Sequence, residues 1–250
     1  MEEHPPQRVA LVTGGAVRVG RAISVGLAEA GYDVCLSYKT SSQGALDVQA
    51  EITGLGRRSE IVQADLSVPS AAEAVVEAAR ATFGRIDLLV NSAASFHARP
   101  LLEVDAEAWD ETMGLNARAP HLVVRAAADL LRQAHGSVVN ITDLSAFQPW
   151  TAYPDHSVAK AALAHLTRVQ ARALAPEVRV NGIAPGAVLP PDDWPAERWQ
   201  ALAESAPLKK VGSPLDVLDA VLFFAHASFV TGQILAVDGG RLLGPAGPPE

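Results

Sequence analysis

The sequence predicts an α/β fold in which a doubly wound parallel sheet carries helices on both faces. Short apolar runs alternate with longer helix-compatible segments, as in βαβ units joined by right-handed crossovers. Several runs are apolar almost throughout, which is typical of strands covered on both faces. No repeat of about 20–50 residues and no dividing linker interrupts the pattern. We therefore expect a single domain, residues 1–250, with a core of about 8–242 and a loose tail at 243–250.

The elements can be placed in chain order. Seven apolar runs are candidate strands: Val9–Val12, Val34–Tyr38, Ile61–Gln63, Leu88–Val90, Ser137–Ile141, Val178–Ile183 and Ile234–Val237. Eight segments are candidate helices: Val19–Ala30, Gly44–Leu55, Ala71–Phe83, Ala106–Met113, His121–Gln133, Val158–Leu174, Ala196–Glu204 and Leu215–Phe224. Ser70 and Asp105 are candidate N-caps, and Gly31 stands where a left-handed residue would end the first helix. The proline-rich stretch 185–195 is either a rigid connector or a loop that covers the substrate.

Composition excludes several classes of function. The 250 residues carry 20 Lys+Arg against 28 Asp+Glu, a net charge of −8, so a nucleic-acid partner is not expected. A single cysteine, Cys35, excludes an internal disulfide and a Cys-rich zinc site, and no pair of histidines has metal-binding spacing. No apolar run reaches the roughly 20 residues of a membrane span, and the acidic start 1–6 is unlike a secretory signal. We expect a cytoplasmic protein with a small-molecule substrate, no membrane association and no metal.

The first strand, turn and helix form a candidate dinucleotide site. Gly14 would let the backbone approach a diphosphate, and Gly20 would let the helix pack closely on the strand. The alternative is an ordinary strand-to-helix turn. Dinucleotide sites selective for NAD usually place an acid at the end of the second strand, but here that strand ends in Tyr38-Lys39-Thr40-Ser41. Lys39, Arg18 and the hydroxyls would favour a 2′-phosphate, so we predict NADP(H), unless Lys39 is merely a solvated charge.

These residues and others together resemble the short-chain dehydrogenase/reductase family over residues 8–242. The motifs are Thr13-Gly14-x-x-x-Arg18-x-Gly20, Asp65, Asn91-Ser92-Ala93, Asn116, Lys160, Pro185-Gly186 and Asp238-Gly239-Gly240. Within the family the chain looks most like the pteridine reductases, which also carry arginine at the position of Arg18 and aspartate at that of Asp143. Ketoacyl reductases share most of these motifs.

The resemblance implies a Rossmann-type sheet of seven parallel strands in the order 3-2-1-4-5-6-7. It also implies a homotetramer or homodimer built on the helices around Ala106–Leu131 and Val158–Leu174. The positions that it assigns to the cofactor are Gly14, Arg18, Val19, Gly20, Tyr38, Lys39, Thr40, Ser41, Asp65, Leu66, Asn91, Ala93, Lys160, Pro185 and Gly186. Phe96 corresponds to an aromatic ring that stacks on the substrate, although it could be an ordinary loop hydrophobe.

The chain departs from the family at the proton donor. The residue four before Lys160, where the family has tyrosine, is His156, and Asp143 stands thirteen residues before it. Both anchors place His156 in the tyrosine position. Tyr153, one turn earlier, is expected near the substrate. An imidazolium held by Asp143 could protonate a ring nitrogen or a carbonyl oxygen, directly or through a water molecule. We therefore predict Asp143, His156, Lys160 and Asn116 as the catalytic residues.

Three functions fit this sequence. The first is an NADPH-dependent reductase that transfers a hydride to a pterin or a similar small heterocycle. The second is a carbonyl reductase acting on a 3-oxoacyl thioester or a small ketone. The third is a catalytically impaired NADP-binding protein, because a fold does not guarantee its chemistry.

Overall fold

The computed structural model describes residues 7–190 and 194–244. Its strands are β1 (Val9–Thr13), β2 (Asp33–Tyr38), β3 (Ser59–Gln63), β4 (Leu88–Asn91), β5 (Ser137–Ile141), β6 (Arg179–Pro185) and β7 (Ile234–Val237). Its helices are α1 (Arg18–Glu29), α2 (Ser42–Gly54), α3 (Ala71–Phe83), α4 (Ala106–Met113), α5 (Ala119–Gln133), α6 (Pro154–Leu174), α7 (Ala196–Ser205) and α8 (Pro214–His226). The strands form one parallel sheet in the order β3-β2-β1-β4-β5-β6-β7, which confirms the expected topology.

Both faces of the sheet are covered. Alternate residues of β1 point to opposite cores: Val12 joins α1, α2 and α8, whereas Leu11 joins α3, α5 and α6. The neighbouring strand β4 divides in the same way, with Val90 on the first face and Leu89 on the second. This double burial explains why these strands are apolar at successive positions.

The start of α6 differs from the prediction in a way that matters for the site. The helix begins at Pro154, one turn before the expected Val158. Proline suits a first helical turn, because its missing N–H would have no partner there. Asp155 and His156 therefore lie in the first turn of α6 and are rigidly placed. The other predicted boundaries agree with the observed ones to within about two residues, the usual uncertainty of helix and strand ends.

The predicted caps have mixed outcomes. The Asp105 side chain accepts a hydrogen bond from the Ala108 N–H at 2.9 Å, as predicted. Gly31 has a φ of +92°, also as predicted. The cap at Ser70 is wrong: this residue has helical dihedral angles, and its side chain makes no capping bond.

The structure adds an irregularity that the sequence did not indicate. The segment Gly114–Arg118 is π-helical and joins α4 to α5 without a loop. Single π turns inside helices are frequent at functional sites. The predictions for 1–6, for 191–193 of the proline-rich loop and for 245–250 of the tail lie outside the described residues. In the parts of the chain that are described, no helix is both long and apolar enough to span a membrane.

Candidate active site

A cleft of about 1060 Å³ runs along the carboxyl ends of the strands, where open parallel sheets bind their ligands. Most of the residues predicted for cofactor, substrate and chemistry line this one cleft. They are Gly14, Arg18, Val19, Gly20, Tyr38, Lys39, Thr40, Ser41, Asp65, Leu66, Ala93, Phe96, Asp143, Tyr153, His156, Lys160, Pro185 and Gly186. Two predicted residues, Asn91 and Asn116, are buried behind the wall of the cleft instead.

The glycine turn between β1 and α1 is built by close backbone contacts. Gly14 has a φ of +65°, and a Cβ atom there would lie 2.8 Å from the Ala93 Cα. A Cβ atom on Gly20 would lie 2.1 Å from the Gly14 carbonyl oxygen, so the helix packs on the turn itself rather than on the strand. Gly15, to which the sequence analysis gave no role, is equally constrained, with the Ser24 Oγ 2.6 Å from its would-be Cβ.

This turn fits a dinucleotide diphosphate. The N-cap residue of α1, Val17, makes no side-chain capping bond, and Val17, Arg18 and Val19 line the cleft, so the positive end of the helix dipole faces it. Anionic oxygens bind at such helix starts.

Arg18 connects the turn to the loop that follows β6. It adopts a φ of +52°, a left-handed conformation that is uncommon for residues other than glycine. Its guanidinium Nη2 donates to the Pro190 carbonyl at 3.0 Å. An arginine at a glycine-like position thus spans the mouth of the cleft.

The end of β2 carries positive charge and no acid. The Lys39 Nζ lies 2.8 Å from the Asp65 Oδ2, and the Ser67 hydroxyl donates to the other oxygen of Asp65 at 2.6 Å. The bond to Asp65 raises the pKa of Lys39, and the bond from Lys39 lowers the pKa of Asp65. Lys39 is therefore an exposed cation paired with Asp65, next to Thr40 and Ser41 in the chain.

Asn91 does not present its side chain to the cleft. Its Nδ2 donates to the Asn140 Oδ1 at 2.8 Å, deep in the sheet. Asn140 in turn donates to Thr167 and Gln170 on α6, at 3.0 and 3.2 Å. Asn91 thus belongs to a buried polar network that fastens β4 and β5 to α6, and only its neighbours Ser92 and Ala93 reach the cleft.

The wall of the cleft holds a histidine–carboxylate pair. The His156 Nε2 lies 2.5 Å from the Asp143 Oδ2, and the His156 Nδ1 lies 3.0 Å from the Ser95 carbonyl oxygen. A carbonyl oxygen only accepts, so Nδ1 carries a hydrogen. Nε2 faces a second acceptor, so one further proton is shared between the imidazole and the carboxylate. The His156–Asp143 pair therefore carries one proton more than a neutral imidazole next to a carboxylate would carry.

The surroundings of Asp143 favour its charged form. Burial acts to raise its pKa, but the bond from His156, the charge of Lys160 and the bond from Ser145 outweigh burial, and the net shift is downward. The Ser145 N–H donates to the Asp143 Oδ1 at 2.8 Å, and the Ser145 hydroxyl donates to the same atom. Asp143 is therefore a carboxylate that accepts hydrogen bonds from His156 and Ser145.

Lys160 completes the charged group from one turn further along α6. It is buried, and its Nζ donates to the Ile141 carbonyl at 2.9 Å. Burial lowers the pKa of Lys160, while the charge of Asp143 opposes that shift. In the wall of the cleft, Lys160 and His156 thus flank a single carboxylate, that of Asp143.

Asn116 holds the loop against which His156 rests. Its Oδ1 accepts from the Ser95 N–H at 3.1 Å, and its Nδ2 donates to the Ser95 carbonyl at 3.2 Å. It reaches this position from the π-helical segment. Asn116 therefore fixes the carbonyl that accepts from His156. The sequence analysis missed Ser95, because the interacting atoms are largely backbone atoms, which carry no residue signature.

Aromatic rings line the cleft beside the histidine. Phe96 stacks on Tyr153 with their centroids 4.1 Å apart, and its edge meets the His156 ring at 4.9 Å. Trp150 lies 6.3 Å from both Phe96 and Tyr153. One face of Phe96 is thus occupied by Tyr153, while 43% of the residue stays exposed. From α7, Arg198 faces the same cleft and packs on the Trp194 ring at 3.6 Å.

Comparison with known proteins identifies the family. Residues 15–241 match the family described as enoyl-(acyl carrier protein) reductase. Pteridine reductase 1 of Leishmania tarentolae is 36% identical over 97% of this chain and 99% of its own. A 3-oxoacyl-(acyl-carrier-protein) reductase of Staphylococcus epidermidis is 30% identical over 94% of this chain and 98% of its own. A blue fluorescent protein from a metagenomic library, solved in complex with NADPH, is 34% identical with a TM-score of 0.88, covering 94% of this chain and 98% of its own.

The family match, together with the fold and the cleft at its switch point, defines the class of protein as an oxidoreductase that binds a nicotinamide dinucleotide. The chain belongs to the short-chain dehydrogenase/reductase family.

Proposed function

We propose that the protein is an NADPH-dependent reductase that transfers a hydride to a C=N bond of a pterin or a similar small heterocycle. The observation that carries the proposal is the His156–Asp143 pair, which holds a transferable proton 2.5 Å from nitrogen to oxygen in the wall of the cleft. The similarity to a pteridine reductase over nearly the whole chain supports this substrate class.

The cofactor half of the cleft suits NADPH. The nicotinamide ring, when the cofactor is bound, supplies the hydride. The backbone N–H groups at the start of α1 would hold the diphosphate, and Lys39 with Thr40 and Ser41 would hold a 2′-phosphate. A neighbouring structure in complex with NADPH supports this cofactor. Pro185, Gly186 and Lys160 line the other end of the cleft and would border the reactive ring.

His156 and Asp143 would supply the proton. Reduction of a C=N bond adds a hydride to carbon and a proton to nitrogen. The hydrogen on Nδ1 of His156 stays on that nitrogen, which donates it to the Ser95 carbonyl oxygen, so the proton shared between Nε2 and Asp143 is the one available. Its transfer to the substrate leaves a neutral imidazole beside a carboxylate, and a proton from solvent restores the pair. Lys160 stabilises the carboxylate throughout.

A carbonyl reductase is the second candidate, because a 3-oxoacyl reductase aligns with 94% of this chain. The same shared proton would then go to a carbonyl oxygen. A catalytically impaired NADP-binding protein would bind NADPH without consuming it. Assays with NADPH and either a dihydropterin or acetoacetyl thioester separate the three: we expect dihydropterin turnover, thioester turnover would favour the second, and thermal stabilisation by NADPH without turnover the third.

Substitution of His156 tests the proton donor. We expect His156→Phe to lower kcat by about 10²–10⁴-fold, the usual contribution of a general acid, with little change in NADPH affinity. A His156→Phe protein that keeps the wild-type kcat would exclude His156 as the donor. His156→Tyr should also lose activity, whereas a gain would indicate a degenerate site that a phenol repairs.

A further inference from the structure

The carboxylate next to the proposed proton donor is buried in a different set of contacts. Asp155 is 1% exposed. Its Oδ2 accepts from the Thr112 hydroxyl at 2.7 Å and from the Arg99 Nη1 at 3.3 Å. Among the described residues, no hydrogen-bond donor reaches the other carboxylate oxygen.

The partners of Asp155 come from the three segments that build the proton site. Asp155 itself lies in the first turn of α6, beside His156. Arg99 belongs to the loop after β4 that contains Ser95, and its N–H also donates to the Ala152 carbonyl at 3.0 Å. Thr112 lies at the end of α4, directly before the π-helical segment of Asn116. One carboxylate oxygen thus fastens all three segments together.

Stability alone does not account for this arrangement. A carboxylate taken out of water costs several kcal/mol, and ion pairs of this kind often contribute nothing net to folding. An unpartnered buried oxygen adds to the cost. A helix N-terminus favours the charge by only about 0.3–2 kcal/mol. Because Asp155 is costly to bury and lies beside His156, its presence is better explained by a requirement for the geometry of the proton site.

We infer that Asp155 is a positioning residue that keeps the Ser95 carbonyl and the His156 ring at hydrogen-bonding distance. Without Asp155, the hydrogen bonds that connect α6, the loop after β4 and α4 would be lost. The 3.0 Å contact between the His156 Nδ1 and the Ser95 carbonyl oxygen would then lengthen. The hydrogen on Nδ1 would then no longer be fixed. The inference rests on the proposed function only where it concerns the rate; the placement of the ring can be measured without turnover.

The test compares Asp155→Asn with Asp33→Asn. Asp33 is a matched control, since it is also buried, pairs with the exposed Arg58 at 2.9 Å, and lies at the start of β2, away from the cleft. The ring ¹⁵N resonances of His156, assigned by their loss in His156→Phe, should shift in Asp155→Asn and stay unchanged in Asp33→Asn. With dihydropterin and NADPH, kcat should fall about tenfold to a hundredfold in Asp155→Asn, with NADPH affinity within about twofold.

Arg99 provides a second variant in a less buried position. Arg99→Met should reproduce the shift of the His156 resonances, and Arg99→Lys should restore most of it, because a single contact at 3.3 Å can be met by an ammonium group. Unchanged His156 resonances in Asp155→Asn, or equal changes in Asp33→Asn, would overturn the inference. If the wild type turns over no substrate, the proposed function fails, but the resonances still decide the role of Asp155.

Discussion

At the scale of single residues, Lys39 is the group expected to select the cofactor. Its ammonium is more than half exposed and pairs with Asp65, so it can move to a second anion. We expect Lys39→Ala to weaken NADPH binding roughly tenfold, since hydrogen bonds to charged groups contribute about 1.5–3 kcal/mol each. NADH binding should change less than about twofold, because that cofactor has no 2′-phosphate for the residue to hold.

Fluorescence titration with both cofactors measures this effect. Arg125→Ala is the control, since Arg125 is an exposed cation on α5 whose only described ion pair is a long one of 3.8 Å to Glu73. Equal losses for NADPH and NADH in Lys39→Ala would contradict the assignment of the 2′-phosphate to this residue.

Lys160 illustrates a conflict between stability and chemistry. Burial lowers its pKa in the folded state, although the charge of Asp143 opposes the shift. A depressed lysine pKa means that protonation disfavours folding: the penalty is full below the folded-state pKa and vanishes as the pH rises past the ordinary value of about 10.4. Lys160→Met should therefore raise Tm at pH 7, by roughly 2–4 °C for each kcal/mol recovered. Activity should be lost.

Thermal unfolding at two pH values checks the sign. The advantage of Lys160→Met over the wild type should shrink between pH 7 and about pH 10.5, as the wild-type lysine loses its proton. A variant less stable than the wild type at pH 7 would show that the charge–carboxylate attraction outweighs the burial cost.

At the scale of elements, the seating of α1 on the glycine turn is the most constrained contact of the cofactor half. A methyl group at Gly20 would meet the Gly14 carbonyl oxygen at 2.1 Å, and backbone cannot move aside as a flexible side chain can. We expect Gly20→Ala to cost about 1–3 kcal/mol of stability and to weaken NADPH binding, because α1 must shift away from the turn.

Gly54→Ala is the control for this prediction. Gly54 ends α2, and a methyl group there meets nothing within 4 Å. The substitution should leave NADPH binding unchanged and raise stability slightly, since alanine favours a helix over glycine. A Gly20→Ala protein with wild-type Tm and NADPH affinity would show that the turn is more adaptable than these distances indicate.

The elements themselves could largely be predicted, because the central strands β1, β2, β4, β5 and β6 are buried along most of their length and most of the helices show an apolar pattern. Glycines and charges at strand ends also indicated the cofactor half of the cleft. The proton site could be predicted from the sequence only in part. His156, Asp143 and Lys160 could be placed through the resemblance to the family, whose spacing they keep, but the Ser95 carbonyl is a backbone atom. The tie through Asp155 joins residues 43 and 56 positions apart, and only folding brings them together.

At the scale of the whole molecule, we propose that exposed apolar side chains serve self-association. Trp109 on α4 and Val169 on α6 are 38% and 52% exposed on one face of the sheet. Phe229, after α8, is fully exposed near the edge strand β7, where Leu235 is 40% exposed. Parallel strands are normally covered, and uncovered apolar edges favour pairing with another chain. Two separate surfaces of this kind would give two different isologous interfaces, and hence a tetramer with three perpendicular two-fold axes.

Light scattering coupled to size-exclusion chromatography tests the tetramer. The wild type should have four times the chain mass of 26.2 kDa. Val169→Glu should break one interface and Phe229→Glu the other, so that each variant gives a dimer and the double variant a monomer, because a buried unpaired charge opposes association. Leu46→Glu, a charge placed on the half-exposed Leu46 of α2 outside both surfaces, should leave the tetramer intact. The wild type could instead be a dimer that only one of the first two substitutions dissociates. That result would show that the other apolar surface does not bind a second copy of this chain.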